Sequence, residues 1–125
     1  MFYNNYNLVS FKSDISSLST FEGMFHGEGN LQYVDIIISS SINGIDQDGG
    51  INQCFASCGK LKHITITSDN SENIGVFLQS IPANNGIKNK KIILKKTDGI
   101  KYTNDEITLI ANTDTVRNNG WEINQ

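Results

Sequence analysis

Apolar and polar positions change rhythm along this chain in a recurring way. In three places a large apolar residue and a phenylalanine are followed, at one fixed distance, by a leucine that opens an alternating run: Met1-Phe2 to Leu8, Met24-Phe25 to Leu31, and Cys54-Phe55 to Leu61. Around the later anchors the apolar residues fall at i, i+3 and i+4, namely Phe21, Met24, Phe25, then Ile51, Cys54, Phe55, then Ile74, Phe77, Leu78. That one-sided stripe predicts a short helix. Downstream the period becomes two: Leu31, Val34, Ile36 and Leu61, Ile64, Ile66 share one side, with Tyr33, Asp35, Ile37 and His63, Thr65, Thr67 between them. Alternation of this kind predicts half-buried strands.

One unit is therefore a helical turn followed by a strand, and the unit repeats. The phenylalanines at positions 2, 25 and 55 are spaced by 23 and then 30 residues, and a further 23 reaches Leu78 in a diverged fourth unit. A unit this small cannot bury its own apolar face, so neighbouring units must stack to make a core. Phe2, Phe25, Phe55 and Leu78 are expected to form one internal ladder. The longer second spacing arises between Ile38 and Gly50, and insertions in stacked repeats map to loops on one face.

Local signals agree with this division. Ser19-Thr20-Phe21-Glu22 has the spacing of a capping box, and Thr103-Asn104-Asp105-Glu106 repeats it before a last helical stretch carrying Ile107, Ile110 and Ala111. Gly120 is placed to stop that helix ahead of Trp121-Glu122-Ile123. Ile92-Ile93-Leu94, bounded by lysine pairs, predicts a further strand.

The blocks Ile15 to Phe25, Gly29 to Ile36 and Cys54 to Ile66 resemble the BspA-type leucine-rich repeats of bacterial and protist surface proteins and some phages, in which a Met-Phe pair precedes a frequent Cys and a Leu. Cys58 stands at that cysteine position, while Asn5 and Glu28 replace it in the other units. The ending from Asp105 to Ile123 is similar to the segment that closes such arrays. The resemblance implies an α/β fold: a short leucine-rich-repeat solenoid with a parallel strand ladder, short helical turns and a C-terminal helix-strand cap. One domain over 1–125 is expected, with repeats in 1–82 and the terminal strand and cap in 83–125. Function does not follow, since the family is defined by a scaffold.

Composition narrows the classes. A net charge of −3 and a pI near 5.2 give no electrostatic footprint for nucleic acid. Lys88, Lys90, Lys91, Lys95, Lys96 and Lys101 form the basic cluster, read as a solvated edge-strand device against sheet-to-sheet association. No stretch approaches the ~20 apolar residues needed to cross a bilayer, so no membrane insertion is expected. Met1 already lies at the end of a helical anchor, which leaves the first unit without a polar cap. Three expectations follow: assembly with another chain at that repeat edge, membership of a longer array, or a half-unit that suffices because its strand carries the polar residues Ser10, Lys12, Ser13 and Asp14.

The candidate chemistry is thin. His26 and His63 fall in different settings, and a nucleophile-base pair would need them or Cys58 within hydrogen-bonding reach, which spacing does not establish. Cys54 and Cys58 are too few for a structural zinc site and read as reduced, packed thiols. Asp46-Gln47-Asp48-Gly49-Gly50 has the alternating oxygens of a calcium loop but lacks its downstream glutamate, so it reads as a polar turn. No catalytic residue, metal or cofactor is expected.

What remains is noncatalytic recognition of a protein or glycan, as a surface or extracellular module of a longer protein, with the outward residues Tyr33, Asp35, Ile37, His63, Thr65 and Thr67 as the binding set. The loop from Ser39 to Gly50 is the competing site. The alternative expectation is a virion tail or head protein that assembles through its exposed repeat edge.

Overall fold

A computed structural model describes residues 7–16, 24–38 and 54–125. The described chain is α/β. Five strands lie in chain order in one parallel sheet: β1 (Ser10–Asp14), β2 (Tyr33–Ile38), β3 (His63–Ser68), β4 (Lys91–Lys95) and β5 (Glu122–Ile123). Three short helices accompany them: α1 (Ser71–Gln79), α2 (Asn104–Thr108) and α3 (Thr113–Asn118).

The register follows from the alternation. Val34 pairs with Ile64 and Ile64 with Ile92, while Ile36 pairs with Ile66 and Ile66 with Leu94. Each of these side chains is at most 2% exposed. Because side chains alternate with a period of two, a slip of one residue would turn both rows out to solvent. Burying one such aliphatic side chain contributes about 1.5–3 kcal/mol, so the rows fix the register strongly.

Opposite the strands, the turns 24–27 and 54–57 stack on each other. The amide of Phe25 donates to the carbonyl of Cys54 at 2.8 Å and that of Gly27 to Ala56 at 2.9 Å. The Phe25 and Phe55 rings lie parallel, 5.4 Å apart, and Phe11 meets Phe25 edge-on at 5.0 Å. The expected ladder is thus present between Phe25 and Phe55; Phe2 lies outside the described residues. Leu78 is buried, but from within α1. Phe55 precedes His63 by eight positions, and eight before Lys91 is Ala83, so the fourth turn position falls beyond the helix. Asn84, next to Ala83, ties this position to the chain that follows the 54–57 turn, its side-chain amide donating to the carbonyls of Cys58 and Leu61, both at 2.9 Å.

The helices differ from expectation in three ways. Only α1 carries a full helical stripe, with Asn70 capping it through bonds from the amides of Glu72 and Asn73. The described parts of the two earlier anchors, 24–27 and 54–57, are turns, so Cys54 and Cys58 do not share a helical face; the remainder of those anchors and the Ser19 capping box lie outside the described residues. The last helix is split in two. Its capping box forms as expected, Thr103 and Glu106 bonding each other's backbone amides. However, Asn112 adopts a left-handed φ of 71°, its side chain donates to the carbonyl of Gly75, and the Thr113 hydroxyl takes the carbonyl of Ile110. A β-carbon on Gly75 would lie 3.0 Å from that of Ala111, so glycine permits this close approach of α1 to the segment between α2 and α3. Gly120, with φ of 90°, ends α3.

The basic cluster also divides. Lys90 is not solvated: it is 5% exposed, and its ammonium donates to the carbonyl of Ala83 at 2.6 Å and to that of Asn119, beside the Trp121 ring. Nor is β4 the sheet edge, because β5 covers Lys91 and Ile92. Beyond them Asn124 mimics a strand residue, its side chain accepting from the amide of Leu94 at 2.7 Å and donating to the Leu94 carbonyl at 3.1 Å.

Candidate functional site

The parallel register sets the outward residues in rows across the sheet. Tyr33 stands beside Ser10 on one side and His63 on the other, with Lys91 beyond; Asp35 lies between Lys12 and Thr65, with Ile93 beyond; Ile37 lies between Asp14 and Thr67, with Lys95 beyond. All six expected binding residues therefore share the outer face. Tyr33 and His63 are exposed, and Asp35, Ile37, Thr65 and Thr67 are half-buried.

Two contacts organise this face. The Tyr33 and His63 rings meet edge-to-face at 5.3 Å, an arrangement worth about 0.5–1.5 kcal/mol where rings are shielded. The Lys62 ammonium sits 5.4 Å from the centre of the Tyr33 ring. Lys12 and Asp35 approach to 3.9 Å, but Lys12 is largely in solvent, so the pair adds little to stability. Aromatic area, an imidazole, hydroxyls and charges of both signs thus lie on one face of the sheet. Such a surface can hold a partner by contact and hydrogen bonds.

The other candidates are dispersed. His26 is half-buried in the turn 24–27, on a different part of the fold from His63. Cys54 and Cys58 are free and fully buried. Burial pushes the Cys58 thiol up to about 12, and it donates to the carbonyl of Phe25 at 3.0 Å; burial raises Cys54 also. Both thiols stay protonated near neutral pH, which suits packing and not nucleophilic attack. Among the described residues no group of three or more His, Cys, Asp and Glu side chains is placed to hold a metal ion. The Asp46 to Gly50 segment and the Ser39 to Gly50 loop lie outside the described residues.

Lys62 is the residue of this face that the alternation misses. It immediately precedes β3, where a period-two reading assigns no direction, and only the neighbouring strand shows that it reaches Tyr33. In comparisons with known proteins, no family model, no curated protein and no solved structure matches this chain.

Proposed function

We propose that this chain is a noncatalytic recognition module that binds a protein or glycan through the outer face of its sheet, and that its fold is a short leucine-rich-repeat solenoid of the BspA type. The solenoid reading is supported by the in-order parallel strands, by the stacked turns 24–27 and 54–57, and by the match of Met24-Phe25 to Cys54-Phe55 in position and burial. The observation that carries the binding reading is the Tyr33 to His63 row and the rows beneath it. Their backbone is held rigid by the buried ladders, while their side chains face solvent. Rigid presentation lowers the entropy lost on binding, and exposed Tyr is a residue type enriched where partners dock.

The test is a binding screen of the 125-residue chain against a glycan array and extracellular protein collections, followed by Tyr33→Ala and His63→Ala on any partner found. Loss of binding with both variants folded supports the outer face. Binding that survives both variants, or turnover of a substrate by the purified chain, contradicts the proposal.

A further inference from the structure

The sheet ends differently at its two edges. At the far edge β5 and the Asn124 side chain occupy the backbone groups of β4. Among the described residues the near edge is β1, whose Ser10, Lys12, Ser13 and Asp14 are all exposed. The Val9 carbonyl accepts from Tyr33 and the Ile15 amide donates to Ile37, so in a parallel ladder the odd-numbered residues from 9 to 15 turn their backbone groups toward β2. The backbone groups of Ser10, Lys12 and Asp14 therefore face away from the sheet. An edge of this kind is a template for another strand.

We infer that β1 pairs with β1 of a second copy of this chain, antiparallel, about a two-fold axis through Ser13. Charge selects this register. Centring on Ser13 sets each Lys12 opposite Asp14 of the other copy, so the two pairs exchange backbone hydrogen bonds and carry opposite charges on the same outer face. Shifting the axis to Lys12 places lysine opposite lysine, and shifting it to Asp14 places aspartate opposite aspartate; like charges directly opposite are unfavourable. Axes between residues would match outward-facing backbone groups with inward-facing ones. On the inner face Phe11, half-buried against Phe25, comes opposite Ile15 of the second copy, which is already buried within its own chain, so the charged pairs of the outer face set the register and not the core. The contact is isologous, so it closes at two copies. It leaves Tyr33 and His63 uncovered, and it stands apart from whatever ligand the outer face takes.

Sedimentation equilibrium of the 125-residue chain across a wide concentration range tests this. A reversible dimer is expected. Lys12→Glu and Asp14→Lys should each raise its dissociation constant about tenfold or more, and the double variant Lys12→Glu/Asp14→Lys should recover most of the loss, because the opposite-charge pairs are rebuilt with reversed sign. In the unaltered chain, amide exchange at Lys12 and Asp14 should slow as concentration rises, a readout that needs no variant. A monomer at every concentration overturns the proposal. So does a dimer indifferent to the single charge reversals, or one that the double reversal fails to restore.

Discussion

The two faces of the sheet obey different rules. Across β2, β3 and β4 the inner rows are chemically uniform: Val34, Ile64 and Ile92 form one, and Ile36, Ile66 and Leu94 the other. The outer rows change character at every strand, from Tyr33 to His63 to Lys91, from Asp35 to Thr65 to Ile93, and from Ile37 to Thr67 to Lys95. The same backbone pairing produces both. The core face is constrained because each aliphatic side chain must fill the space left by its neighbours at near-crystalline density. The outer face carries no such constraint, so its chemistry varies while its geometry does not. A scaffold that repeats its interior and varies one surface is suited to recognition.

The sharpest way to break this contrast is through the interior. Phe55→Ala removes a fully buried ring stacked on Phe25 and should cost about 3–5 kcal/mol, a large share of a small domain's stability. Chemical denaturation measures it, and an unchanged midpoint would remove the ladder from the account. Adjacent residues on β2 sharpen the comparison further. Ile36→Ala should cost about 2–5 kcal/mol, whereas Ile37→Ala, one position along and half-buried on the outer face, should cost roughly 1 kcal/mol or less. Equal losses would mean that the two faces are not distinct.

A smaller effect separates surface charge from the interior. Lys96 donates to Glu106 at 2.8 Å, and with the Thr103 amide it holds that carboxyl down at about 2 from its ordinary 4.5. A depressed carboxyl contributes stability that is fully present above pH 4.5 and is lost as pH falls toward about 2. Glu106→Gln should therefore flatten the acid side of the melting profile in that window. At neutral pH the change should be small, because the pair is partly exposed to solvent.

Much of the strand architecture is legible in sequence, because period-two alternation is a local signal and the aliphatic residues Val34, Ile36, Ile64 and Ile66 recur on one side of it, although Ile37 interrupts the pattern on the other. The same alternation identifies the six outer-face residues. What escapes it is tertiary. The split between α2 and α3 depends on Asn112 reaching the carbonyl of Gly75, which lies on another helix. The burial of Lys90 depends on carbonyls at Ala83 and Asn119 that converge only after the chain has closed over β4. A lysine in a basic run reads as solvated until those partners are known. Similarly, extrapolating the repeat by count reaches Leu78, while the chain inserts α1 and brings Ala83 to the equivalent place.

The most direct test of the recognition reading pairs stability with binding for Tyr33→Ala. Tyr33 is exposed on the outer face, with His63 and Lys62 as its aromatic and cationic neighbours. Its removal should change unfolding free energy by no more than roughly 0.5 kcal/mol, yet weaken binding of a partner identified by the screen by about 2 kcal/mol or more. A folded variant that binds as tightly as the unaltered chain would contradict the outer face as the recognition surface.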